Sequence, residues 1–197
     1  LAAALALGAA VVIRPQQQAP QYTSRVTGIS VRDTANNLMS APFLGGLDVP
    51  RPQLVDINGD GKTDLFVQER FNQLLYFERV GDRWEWKSDR FQDLPIGEWY
   101  RFVDLDADGK TDLLTEMYSG YARAWKNDGS KSAPHFTALG DTIRDVDGQP
   151  IAVDRQNILN AVDIDCNGKL DLFIGRVQGV VDRFEQEGQS PDGSPRF

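Results

Sequence analysis

Asp56-Ile57-Asn58-Gly59-Asp60-Gly61-Lys62-Thr63-Asp64-Leu65 is written twice more along the chain. It returns as Asp104-Leu105-Asp106-Ala107-Asp108-Gly109-Lys110-Thr111-Asp112-Leu113 and as Asp163-Ile164-Asp165-Cys166-Asn167-Gly168-Lys169-Leu170-Asp171-Leu172. In each copy oxygen-bearing side chains stand at positions 1, 3, 5 and 9, with glycine at position 6. Alternate residues of a tight loop point inward, so this spacing suits a hard cation such as Ca²⁺, which takes about 6 to 8 oxygen ligands. The backbone carbonyl at position 7, from Lys62, Lys110 or Lys169, can join the set. The glycine has its own reason, because a chain reversing around an ion needs φ > 0, which only a residue without Cβ enters cheaply.

These are the candidate ligands: Asp56, Asn58, Asp60, Lys62 and Asp64 in the first loop; Asp104, Asp106, Asp108, Lys110 and Asp112 in the second; Asp163, Asp165, Asn167, Lys169 and Asp171 in the third. The plainer reading is that Asp, Asn and Gly simply make good turns. Three aligned copies argue against it, as does charge: carboxylates about 4 Å apart repel by about 4 kcal/mol at an effective dielectric near 20. Four carboxylates in the second loop against three in each of the others predict that it holds calcium tightest.

The loop is not an EF-hand. Position 12 would carry a bidentate Glu between two helices, but Val67, Thr115 and Ile174 stand there. Leu65-Phe66-Val67, Leu113-Leu114-Thr115 and Leu172-Phe173-Ile174 have strand composition. The last acid, at position 9, is therefore expected at the start of a strand.

The loop begins at 56, 104 and 163, spacings of 48 and then 59 residues, which indicate a solenoid or propeller repeat. Phe43 and Phe91 each precede a loop by 13 residues, and Phe136 and Phe197 close the second and third units. The longer second period places an insertion within Asp141 to Asp154, with its own Asp-Gly turn signal and an expected hairpin. Within the first unit the strands are read as Gln53 to Val55, Thr63 to Gln68, Gln73 to Arg79 and Arg83 to Lys87, with turns at Phe71-Asn72 and Gly81-Asp82. The second unit gives Tyr100 to Val103, Thr111 to Met117, Tyr121 to Lys126 and Pro134 to Leu139, broken at Ser119-Gly120 and Asn127-Asp128-Gly129. No stretch sustains a 3.6-residue apolar period. The fold class is all-β: part of a β-propeller of about three four-stranded blades, with units at about 44–91, 92–136 and 137–197 inside a domain at 21–197.

DxNxDGxxDL between two strands, followed by an aromatic-rich strand and a closing Phe, resembles the FG-GAP/VCBS repeat of integrin alpha-type calcium propellers over roughly residues 40 to 197. The resemblance implies one Ca²⁺ per blade, about three in all, in the loop joining the first two strands, and a structural role for the ions. It also implies that the third loop, with Asn167 and Cys166, is the least typical. Propellers have about 4 to 8 blades, so the chain is expected to be a piece of a longer protein.

Residues 1–13, LAAALALGAAVVI, form an uncharged apolar run followed by a Pro/Gln linker to about residue 20. The run is short of the about 20 residues that span a bilayer and fits a signal-peptide core; a membrane tether through this segment stays open. The net charge is −8, and three bound Ca²⁺ would bring it to −2. Nothing gives the basic stripe that nucleic acid wants. Cys166 is the one cysteine, at a non-ligand loop position, and His135 the one histidine, which leaves nucleophilic triads and His-based metal chemistry without support. Trp84, Trp86, Trp99 and Trp125 are expected to fill space between blades; a sugar-stacking platform is the alternative. The leading expectation is a secreted, periplasmic or surface-displayed, calcium-stabilised module for binding or adhesion, with an unidentified protein or carbohydrate ligand. The rival is a carbohydrate-active enzyme, a polysaccharide lyase or hydrolase, on a propeller scaffold.

Overall fold

A computed structural model describes residue 26 and residues 28–70, 72–116, 120–153 and 158–197. The apolar run and linker at the start, and the turn residues Phe71 and Ser119, lie outside the described residues, as do Met117 and Asp154. The chain divides into two compact units, Leu1–Leu44 and Gly45–Phe197. In the first, Arg32 and Leu38 form an isolated antiparallel bridge around a turn in which Asp33 accepts the backbone N–H groups of Ala35 and Asn37.

The second unit is all-β, with four antiparallel sheets and no α-helix among the described residues. Its first sheet runs in sequence order through β1 (Arg51–Val55), β2 (Asp64–Arg70), β3 (Gln73–Val80) and β4 (Arg83–Ser88). The second repeats that order with β5 (Tyr100–Val103), β6 (Asp112–Glu116), β7 (Ala122–Asn127) and β8 (Phe136–Leu139). The third holds β9 (Ile158–Val162), β10 (Asp171–Gly175) and β11 (Val181–Glu185). All three acidic loops join the first strand of a sheet to the second, and Asp64, Asp112 and Asp171 are the opening residues of β2, β6 and β10.

The third unit departs from the four-strand expectation. After Glu185 the chain leaves the sheet, and β12 (Gly188–Gln189) pairs only with β13 (Pro195–Arg196) in a separate two-stranded sheet. The turn joining the two is closed by the Ser190 N–H to the Ser194 carbonyl at 2.8 Å and the Gly193 N–H to the Ser190 carbonyl at 2.9 Å. The insertion does form a hairpin: Arg144 bridges Pro150, and Gly148 N–H donates to the Asp145 carbonyl at 3.0 Å. Its stem buries Ile143 and Ile151 and exchanges backbone hydrogen bonds with Ala122 at the start of β7.

The core explains why the middle sheet matters most. Strand β6 is buried along its whole length, with Leu113 turned to one apolar cluster and Leu114 to another. Alternation of side chains along a strand makes this possible, since successive residues serve opposite faces. Leu113 joins Phe66, Phe91, Tyr100, Phe102 and Phe136 between the first and second sheets. Leu114 joins Leu159, Leu172, Ile174, Ile143 and Phe197 between the second and third. The closing residues Phe91, Phe136 and Phe197 are thus buried as core, whereas Phe43 is 49% exposed. Side-chain amides reinforce the packing: Gln53 on β1 donates to the Phe102 carbonyl at 2.8 Å and accepts the Phe102 N–H at 2.9 Å, and Gln186 donates to the Leu105 carbonyl at 2.9 Å.

Trp125 packs against the cluster between the first and second sheets, as filling, whereas Trp84 does not. Trp84 is 38% exposed, donates its indole N–H to the Thr63 carbonyl at 3.1 Å and lies under the Arg79 guanidinium at 4.8 Å. Trp99 and Trp125 likewise carry Arg51 and Arg123 over their faces, at 5.0 and 5.2 Å. An indole brings a polar N–H and a surface attractive to cations, and at the exposed Trp84 both are used.

Candidate metal centres

The three loops share most of their hydrogen bonds, but the position-5 N–H reaches the position-1 Oδ1 only in the first and third, from Asp60 to Asp56 and from Asn167 to Asp163, both at 3.1 Å. The glycine at position 6 donates its N–H to the position-1 carboxylate: Gly61 to Asp56 at 2.9 Å, Gly109 to Asp104 at 2.8 Å, Gly168 to Asp163 at 2.9 Å. The lysine at position 7 donates its backbone N–H to position 5, Lys62 to Asp60, Lys110 to Asp108 and Lys169 to Asn167, at 2.8 to 2.9 Å. Positions 4 and 6 both enter the left-handed region, with Gly59, Ala107 and Cys166 at φ 68°, 60° and 59° and the position-6 glycines at 81°, 78° and 85°. Cys166 is exposed at this non-ligand position.

Because Gly109 needs φ 78° and a Cβ there would meet nothing closer than the flexible end of Lys131 at 3.4 Å, a Gly109→Ala change isolates backbone strain. It is expected to cost about 1 to 2 kcal/mol, read as a lowered midpoint in guanidinium unfolding.

Position 9 differs from the other acids. Asp64, Asp112 and Asp171 are each 1% exposed. One oxygen accepts the position-2 N–H: from Ile57 at 3.4 Å, Leu105 at 2.9 Å and Ile164 at 3.0 Å. The other accepts from the third strand, through the backbone N–H of Arg79 or Asn127 at 2.8 Å, or through the Arg183 side chain at 2.9 Å. Burial raises Asp64 above the usual carboxylate range and pushes Asp112 up to about 6, against the pull of these hydrogen bonds. Asp171 shifts the other way, lowered by the Ile164 N–H and by Arg183.

Carboxylate oxygens of Asp104, Asp106 and Asp108 lie within 4.8 Å of one another, as do those of Asp163, Asp165 and Asp171. In the second loop Asp104 Oδ1 is buried without a hydrogen-bond partner. A buried carboxylate oxygen left so is costly unless a cation meets it, and an all-oxygen set of this kind suits a hard divalent ion. The first loop brings Asp56, Asn58 and Asp60 together through the hydrogen bonds from the Asp60 N–H to Asp56 and Asn58, both 3.1 Å. The donor sets therefore fit a metal ion, with the position-9 acid also serving the fold.

Among the described residues four basic side chains press on these acids, including Lys62 at 3.4 Å from Asp60. Lys126 on β7 pairs with Asp106 and lies 3.4 Å from Asp108, and Lys110 lies 3.2 Å from Asp108. Arg183 on β11 pairs with Asp165 at 2.9 Å and Asp171 at 2.7 Å. Neither Lys126 nor Arg183 was signalled by the loop sequences, because each comes from a neighbouring strand 18 or 20 residues from its partner. His135 is exposed and its ring bonds Asp128 at 2.6 Å, an acid outside the three loops.

Repeated acidic loops at the strand-to-strand corners of antiparallel sheets define the class of module. Residues 56–115 match a family model described as an FG-GAP-like repeat, so the chain carries an FG-GAP-type repeat. The matched stretch runs from the first aspartate of the first loop to Thr115 on β6, and the third loop shares its geometry outside that stretch. Comparison with curated proteins and with solved structures gave no match.

Proposed function

We propose that this chain is a calcium-stabilised propeller segment that serves as a binding or adhesion module outside the cytoplasm. The observation that carries the calcium reading is the second loop, where oxygens of Asp104, Asp106 and Asp108 lie within 4.8 Å of one another and Asp104 Oδ1 is buried without a hydrogen-bond partner. Asp56, Asn58 and Asp60, Asp104, Asp106 and Asp108, and Asp163, Asp165 and Asn167 supply side-chain oxygens, the position-9 acids close each site from the strand, and Lys62, Lys110 and Lys169 lend carbonyls. The propeller reading is supported by two sheets of identical strand order and by first strands β1, β5 and β9 that neighbour one another in turn. The ion contributes rigidity: it fixes the corners from which the sheets depart.

The binding side of the proposal is supported by an open cleft of about 510 Å³ lined by Pro52, Gln53, Leu54, Leu65, Trp84 and Arg101. It offers an exposed indole, an aliphatic wall and a guanidinium, a mixture suited to a protein or carbohydrate ligand. The extracellular, periplasmic or surface part of the proposal draws on the apolar run at residues 1–13; calcium sites with Kd of about 10⁻⁴ to 10⁻³ M are those of extracellular modules.

Chelation tests the calcium reading. At 1 mM Ca²⁺ over a Kd of about 10⁻⁴ M, each occupied loop adds about 1.4 kcal/mol, or about 3 to 6 °C in Tm for a chain of this size. A melt that is unchanged between chelator and calcium, together with no heat in isothermal titration, would overturn it.

A further inference from the structure

The strand next to each loop carries a residue in an equivalent place, and its charge differs between loops. Phe77, Trp125 and Phe184 face Leu65, Leu113 and Leu172 across the ladder, and the residues that follow them are Glu78, Lys126 and Glu185. One step before those facing residues stand Tyr76, Ala124 and Arg183. Where a loop includes Asn, the acid faces it: Asn58 donates to Glu78 and Asn167 to Glu185, both at 3.2 Å. Where all four loop acids are Asp, the facing residue is Lys126, in contact with Asp106 and Asp108. In the third loop Arg183 adds a cation on Asp165 and Asp171 and reaches within 3.7 Å of Glu185. The first loop has Tyr76 and Glu78 in those two places; Lys87 pairs with Glu78 at 2.7 Å and with Glu85 at 3.8 Å, and the exposed Lys62 lies 3.4 Å from Asp60.

We infer that Lys126 and Arg183 are tethered counter-ions that compete with a divalent cation for the second and third loops, leaving the first loop the strongest cation site. The inference rests on the calcium reading above and reverses the order that loop charge alone gives. Counting the loop acids with the two strand residues, the first site carries four negative charges and no positive one from those strand positions. The second carries four negative charges against Lys126, and the third four against Arg183. A side chain already holding ligand oxygens must be displaced, and cation affinity follows the charge of the ligand set.

The test is an NMR titration of the full chain with CaCl₂ from a chelated start, following the amide signals of Gly61, Gly109 and Gly168, one reporter per loop. In the unmodified protein Gly61 is expected to respond at the lowest calcium. Lys126→Gln should lower the Gly109 midpoint by about tenfold or more and leave the Gly61 midpoint in place, and Arg183→Gln should act likewise on Gly168. Glu78→Lys should raise the Gly61 midpoint, which keeps the idea testable if Arg183→Gln, which removes a bond to a buried acid, does not fold. A Gly109 response preceding Gly61 in the unmodified chain, or an unchanged Gly109 midpoint in folded Lys126→Gln, overturns the inference while calcium binding stands. Silence of all three amides in every variant overturns the calcium reading and the inference with it.

Discussion

Asp112→Ala is expected to destabilise the protein by about 2 to 6 kcal/mol in the presence of chelator, where no ion contributes. The carboxylate is 1% exposed and accepts N–H donors from Leu105 at 2.9 Å and Asn127 at 2.8 Å. Removing it leaves both donors buried without acceptors, each costing about 1 to 3 kcal/mol. Natural domains hold only about 5 to 15 kcal/mol in reserve, so the variant should sit near its folding threshold. Denaturant unfolding followed by circular dichroism measures the loss. Asp60→Ala is the control: its carboxyl is 37% exposed, so without an ion it should change stability by less than about 1 kcal/mol. Equal effects of the two changes in chelator would show that position 9 has no fold-holding role.

The second large effect belongs to Phe66. Its ring is fully buried, stacked on Tyr76 at 4.9 Å and packed against Phe91 and Phe102 at 5.0 and 4.6 Å. Phe66→Ala removes those contacts and opens a cavity between the first two sheets, a change that costs about 3 to 5 kcal/mol in comparable cores. Aromatic pairing adds to the area term, because each ring pair is worth about 0.5 to 1.5 kcal/mol beyond burial. Phe66→Leu should recover much of the loss by refilling volume. A Tm for Phe66→Ala within about 2 °C of the unmodified protein would contradict the assignment of this cluster as the joint between sheets.

Much of the loop was legible because its constraints are local. The spacing of acids, the glycine at position 6 and the strand-like Leu65-Phe66-Val67 all report on neighbours within a few residues, and the structure opens β2, β6 and β10 at the position-9 acids and puts the position-6 glycines in the left-handed region. The all-β class followed from the same stretch. The double use of position 9 was not legible, since a buried acid bonded to N–H groups and an acid aimed at an ion leave the same letter in the sequence. Lys126 and Arg183 were missed for a different reason: their meaning depends on strand register, which pairs Leu113 with Trp125 and Phe173 with Arg183. Composition could not tell which aromatics would be buried either. Phe66 and Trp84 look equivalent as letters, but the indole N–H needs an acceptor and finds it in Thr63 at the periphery.

Gln53 has a consequence for how this chain behaves at high concentration. Strand β5 ends its own sheet, and the Gln53 amide occupies both the N–H and the carbonyl of Phe102 in the manner of a neighbouring backbone. An unsatisfied strand margin is a template for another polypeptide to add to. Here one glutamine fills, at the middle of β5, the place a further strand would take.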